Sequence, residues 1–120
     1  GMGIALLRKA EIPAVVLSTE PNPVVAARCK KLKIPCIQGE DDKRTALGAL
    51  MTDLNIDPVH TVYCGNDLND LPCFPIVGWA VAVSDAVPEV LRQSDYTLTR
   101  PGGFGAVREL CELIINGNRY

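Results

Sequence analysis

Apolar positions along this chain follow two patterns that take turns. Short unbroken apolar runs occupy residues 13–18, 34–38, 61–64, 79–83 and 96–98. Such runs predict strands, and the continuous run at 13–18 predicts one buried on both faces, as in a parallel sheet. Between them the apolar residues recur at helical spacing. Residues 4–9 read as the tail of a helix, and residues 22–33 as a helix with Val24, Val25, Cys29 and Leu32 on one side. Residues 42–54 place Ala46, Leu47, Leu50, Met51 and Leu54 on one stripe, with Asp41 and Asp42 suited to cap its start. Residues 69–74 predict a short helix broken by Pro72 and Pro75, and residues 86–93 a helix with Pro88 in its first turn. Residues 104–115 predict a closing helix with Val107, Leu110, Cys111 and Ile114 inward. Strands alternating with helices imply βαβ units: a single α/β domain over residues 1–120 with a mainly parallel sheet.

Composition narrows the function classes. A net charge of -2 with no basic block gives no electrostatic case for nucleic acid. No apolar run approaches the ~18 residues that span a bilayer, and no charged leader precedes a long apolar stretch at the amino end. The five cysteines, Cys29, Cys36, Cys64, Cys73 and Cys111, form no C-x-x-C pair and lie in apolar surroundings. The expectation is a reducing, cytoplasmic compartment with no disulfide framework. His60 is the one histidine and reads as a surface residue ahead of a strand.

The informative residues are the polar ones that packing does not require. Ser18 and Thr19 follow directly on the first apolar run. Lys43 stands in the first turn of a helix, where a cation opposes the dipole. Gly65-Asn66-Asp67-Leu68-Asn69-Asp70 follows the 61–64 run. The carboxyl ends of parallel strands share one edge, which is where ligands bind in open α/β sheets. A hydroxyl and backbone N–H groups suit phosphate oxygens, an ammonium balances charge, and carboxylates suit Mg²⁺. Plainer readings stand beside this one. Asp41 and Asp42 neutralise a solvated Lys43, and Asn66 or Asp67 caps a helix.

These residues carry a resemblance that covers essentially the whole chain. It resembles the haloacid dehalogenase superfamily and, within it, the capless sugar-acid phosphatases. That group includes 3-deoxy-D-manno-octulosonate 8-phosphate phosphatase, its sialic-acid relatives and the phosphatase-like module of acylneuraminate cytidylyltransferase. Ser18 in Val-Val-Leu-Ser-Thr-Glu falls at the family's second motif, Lys43 at its third, and Gly-Asn-Asp-Leu-Asn-Asp at its fourth. Residues 102–109, Gly-Gly-Phe-Gly-Ala-Val-Arg-Glu, are similar to the subgroup's C-terminal signature. The resemblance implies a three-layer Rossmannoid sandwich and an Mg²⁺-dependent phosphatase acting on an octulosonate 8-phosphate or sialic acid 9-phosphate. In that scheme Ser18, Thr19 and Lys43 bind phosphate, with Lys43 balancing its charge. Asn66 and Asp67 serve the metal, and Asp70 is either a ligand or stands behind the ligands. Arg108 reaches substrate or a neighbouring subunit, or else pairs with Glu112 at i+4. Tyr63 and Trp79 read as core or interface. The resemblance also implies a dimer or tetramer.

The family's first motif, Asp-x-Asp on a central strand, has no counterpart, since no aspartate precedes Asp41. The first aspartate of that motif is the family's nucleophile. The expectation is a chain that begins after this strand and lacks phosphatase activity by itself. The strands at residues 13–18 and 61–64 then lose a neighbour, and either close up on each other or pair with a second chain. Asn66 stands where many relatives have an aspartate. The alternative function is a non-catalytic oligomerisation module associated with an acylneuraminate cytidylyltransferase. A receiver-type domain is a third α/β reading, and the acidic spacing here does not supply it.

Overall fold

A computed structural model describes residues 2–18, 23–39, 42–102 and 105–117 of the chain, the side chains of Met2 and Leu32 excepted. The predicted alternation is present in order: α1 (Met2–Lys9), β1 (Val16–Leu17), α2 (Pro23–Leu32), β2 (Cys36–Ile37) and α3 (Lys43–Asp53). Then follow β3 (Val62–Gly65), a 3-10 helix (Leu68–Ile76), β4 (Trp79–Ala82), α4 (Pro88–Gln93), β5 (Tyr96–Thr97) and α5 (Ala106–Gly117). A single 3-10 turn, Pro58–His60, leads into β3. Every strand pairing is parallel.

The strands form two separate sheets, β1-β2 and β3-β4-β5. Leu17 lies opposite Ile37, and Tyr63 lies opposite Ala80. The expectation that the first and third apolar runs close up on each other is not met: among the described residues, β1 pairs only with β2 and β3 only with β4. Side-chain packing holds β1 in place instead. Leu17 packs against the main core, whose centre is Val81 and Ala82 of β4 with Val90 and Leu98. A second small core, Ile4, Leu7 and Cys111, joins α1 to α5.

Several expectations about faces need correction. Val24 is 74% exposed and Val107 58% exposed, so neither belongs to its helix's inward side. In α5 that side is Ala106, Leu110, Cys111, Leu113 and, as expected, Ile114. Leu54, at the end of the α3 stripe, is also exposed. Pro72 and Pro75 do not break the predicted short helix. They lie inside a continuous 3-10 helix, Leu68–Ile76, in place of the predicted short helix. Asp42 caps α3 as expected, its carboxylate accepting from Thr45 N–H and Oγ1 at 3.1 and 2.7 Å. Asn22, Asp41, Gly103 and Phe104, each part of a sequence expectation, lie outside the described residues.

Candidate active site

The third and fourth motifs meet at the carboxyl end of β3. Lys43, in the first turn of α3, is only 8% exposed, and Asp70, on the 3-10 helix, 2%. Lys43 Nζ lies 2.9 Å from Asp70 Oδ1. The reading of Lys43 as a solvated cation neutralised by its neighbours is therefore wrong. Its partner is 27 residues away in sequence. Burial removes the cost-free option of hydration, so the ammonium requires a fixed anion.

Asp70 is held from every side. Its Oδ1 also accepts the Tyr63 hydroxyl at 2.6 Å. Its Oδ2 accepts the backbone N–H groups of Asn66 and Asp67 at 2.9 and 3.1 Å. Burial alone would raise the Asp70 pKa. The hydrogen bonds from Tyr63, Lys43 and the two amides outweigh it and hold the carboxyl below its ordinary value. The same burial, reinforced by the carboxylate's charge, pushes the Tyr63 phenol well above its usual range. The phenol therefore stays a donor. No buried side-chain nitrogen or oxygen among the described residues lacks a partner.

Asp67 caps the 3-10 helix, its Oδ1 accepting Leu68 N–H at 2.7 Å, and Asp70 returns the bond to Asp67 N–H. This reciprocal box fixes the Asn66–Asp67 turn. Gly65 is required just before it. A Cβ there would lie 2.6 Å from Asp70 Cβ, closer than side chains tolerate. The Asn66 carbonyl is tied to Val87 N–H at 3.0 Å, which anchors the turn to the start of α4.

Ser18 follows directly on β1 and is half-buried, and its N–H donates to the Ile37 carbonyl at 2.8 Å. Thr19 lies outside the described residues. Arg108 takes the plainer of its readings, an exposed ion pair with Glu112 at 3.0 Å. His60 is exposed, 3.9 Å from Asp57. Within the C-terminal signature, the working residue is Glu109. Its carboxylate accepts the N–H groups of Thr99 and Arg100 and the Thr99 hydroxyl. Gly102 N–H donates to Asp85 at 2.9 Å.

Sequence reasoning missed Tyr63 as part of the site. A tyrosine in an otherwise aliphatic strand was the available signal, because a buried phenol needs a hydrogen-bond partner.

The arrangement presents a fixed ammonium and a rigid turn carrying a carboxamide and a carboxylate. It falls short of a magnesium site by itself. Asp70's oxygens already accept Lys43, Tyr63 and two amides. No group of three or more His, Cys, Asp or Glu suited to a metal occurs among the described residues. Asn66 and Asp67 offer hard oxygen donors, and a complete Mg²⁺ shell needs more.

The parallel α/β fold thus carries a lysine–aspartate pair behind an acidic turn at the carboxyl end of β3. Residues 22–105 match the sequence pattern of the haloacid dehalogenase-like hydrolases, and the chain belongs to that family. It is similar to the 3-deoxy-D-manno-octulosonate 8-phosphate phosphatase KdsC of Escherichia coli K12, 36% identical over 116 residues, 96% of this chain and 62% of the relative. The chain thus spans about 62% of the length of the curated relatives it matches. The fold is shared with the cobalt-bound deoxy-D-mannose-octulosonate 8-phosphate phosphatase of Haemophilus influenzae, with a TM-score of 0.94, 34% identity, and coverage of 98% of this chain and 70% of that one. The corresponding Moraxella catarrhalis phosphatase, solved with magnesium, phosphate and KDO, gives a TM-score of 0.91 and 38% identity over 96% of this chain and 67% of that one. No described helix is long and apolar enough to cross a membrane.

Proposed function

We propose that this chain is a phosphatase-type domain whose substrate is a sugar-acid phosphate, of the octulosonate 8-phosphate or sialic acid 9-phosphate class. The observation that carries the reading is the buried Lys43–Asp70 pair set against the Asn66–Asp67 turn. A buried lysine held to a carboxylate at a strand's carboxyl end suits a phosphoryl group better than it suits packing. In this reading Lys43 balances phosphate charge and Ser18 and Thr19 hold phosphate oxygens. Asn66 and Asp67 offer oxygens to Mg²⁺, and Asp70 acts through Lys43 and the turn. The metal, when bound with ligands beyond these, polarises the phosphoryl oxygens.

The same reading makes the 120-residue chain inactive alone, because no aspartate lies ahead of Asp41 to form the aspartyl-phosphate. It is cytoplasmic and works as a homo-oligomer. The sides of β1 and β3 not used in the two sheets favour association with another strand.

The test is phosphate release from both substrate classes with Mg²⁺. The chain alone gives none. The chain extended at its amino end by a strand carrying Asp-x-Asp gives turnover that Lys43→Met abolishes. Turnover by the unextended chain, lost in Asp67→Ala, overturns the inactivity. An inert extended chain that folds and binds no phosphate overturns the phosphatase reading.

A further inference from the structure

Glu109 closes the signature at residues 102–109 and takes no direct part in the phosphoryl site. It stands in the first turn of α5, where an acid suits the helix dipole. Its carboxylate does more than balance that dipole. Thr99 N–H donates to both of its oxygens, at 3.0 and 2.9 Å. Arg100 N–H donates at 3.0 Å and the Thr99 hydroxyl at 3.1 Å. Glu109 thus ties the segment that follows β5 to the start of α5.

That segment in turn grips the loop after β4, residues 83–87, in which every residue is held. Ser84 N–H donates to the Arg100 carbonyl at 3.1 Å, and Asp85 Oδ1 accepts Gly102 N–H at 2.9 Å. On the other side, Val83 N–H donates to the Gly65 carbonyl at 3.3 Å and Val87 N–H to the Asn66 carbonyl at 3.0 Å. Ala86 N–H closes the loop onto the Val83 carbonyl at 3.1 Å. The loop is a strap between the 100–102 segment and the acidic turn. All but one of its links join backbone to backbone, so no side-chain rotamer absorbs a shift at either end.

We propose that Glu109 is a positioning residue for the phosphoryl site, which acts through the 99–102 segment and the 83–87 strap to hold the Asn66–Asp67 turn. The inference rests on the reading of that turn as part of the phosphoryl site. The position requires a carboxylate. Both of its oxygens accept, whereas a glutamine would set an NH2 group against the Thr99 N–H.

The experiment records amide resonances and hydrogen exchange of the full chain by NMR, unmodified and as Glu109→Gln. The amides of Ser84, Val87, Asn66 and Asp67 are expected to shift and to exchange at least about threefold faster, while Val81 and Ala82 keep their protection. Glu112→Gln is the control. It removes the same charge one turn along α5, from the exposed pair with Arg108, and is expected to leave the Asn66 and Asp67 amides unmoved. Changes confined to Thr99 and Arg100 overturn the proposal, as do equal changes in the control. An equal loss of protection at Val81 and Ala82 also overturns it and assigns Glu109 to overall stability. Should Glu109→Gln fail to fold, Asp85→Ala cuts the strap at its side-chain link, and unmoved Asn66 and Asp67 amides then overturn the proposal. In the chain extended by a strand carrying Asp-x-Asp, Glu109→Gln is expected to lower kcat about tenfold with KM within about twofold. An active extended chain whose kcat ignores Glu109→Gln overturns the proposal. An extended chain without turnover counts against the phosphatase reading alone, and the amide signals then decide whether Glu109 holds the turn.

Discussion

Lys43 and Asp70 meet 2.9 Å apart, both buried, though they stand 27 residues apart in sequence. Neither side chain has a reason to leave water without the other. The pair ties the start of α3 to the 3-10 helix that follows β3. Removing one partner strands a charge in the interior, which costs about 3–5 kcal/mol. Lys43→Met and Asp70→Leu are each expected to lower the unfolding free energy by that order in urea titrations. The double variant is expected to recover much of the loss, since two apolar side chains can share the space.

Tyr63 is expected to matter through its hydroxyl alone. Tyr63→Phe keeps the ring and its edge contact with Phe74. It removes the bond to the Asp70 carboxylate. A hydrogen bond to a charged group contributes about 1.5–3 kcal/mol. Chemical denaturation of the single variant measures that loss. The Lys43→Met background is expected to change its size, because both donors share Oδ1.

Acid sensitivity follows from the lowered Asp70 pKa. A carboxyl whose folded pKa is depressed contributes its full stabilisation above the unfolded value, here 3.8. That contribution is lost as pH falls below this value toward the folded one. Unfolding free energies measured downward from pH 5 are expected to drop steeply below about pH 4. Asp70→Asn is expected to flatten that limb. An unchanged slope in the variant would assign the acid transition to other carboxyls.

Gly78 has no room for a side chain. A Cβ at this position would lie 1.8 Å from the Val59 carbonyl oxygen. That oxygen belongs to the 3-10 turn ahead of β3, and Gly78 N–H bonds to Pro58 and Thr61 carbonyls there. Gly78→Ala therefore displaces backbone from backbone. It is expected to destabilise by about 1–3 kcal/mol or more. Gly48→Ala is the control, because nothing lies within 4 Å of a Cβ there. In mid-helix it is expected to stabilise slightly.

The element order is legible in the sequence because parallel strands leave short runs rich in apolar residues, and those from 13–18 to 96–98 each overlap an observed strand, although β5 is exposed at both of its residues. The inward faces are less legible. Helical spacing defines a stripe in α5 but leaves its rotation to the contact with α1, which favours Cys111 and leaves Val107 outside. Lys43 and Asp70 are recognisable as motif residues, yet their pairing is a tertiary contact with no local signature. Tyr63 is hidden for the same reason. The carboxylate it serves sits seven positions on, in a 3-10 helix that two prolines make hard to predict.

Those prolines bear on how reproducibly the acidic turn takes shape. Pro72 and Pro75 each fix one backbone torsion within the 3-10 helix that carries Asp70. Their rings restrict the disordered chain as well as the ordered one, so less conformational freedom is surrendered when this stretch settles. The segment that delivers the carboxylate to Lys43 is thus pre-stiffened by its covalent structure. Its neighbours in the core need only orient it, not mould it.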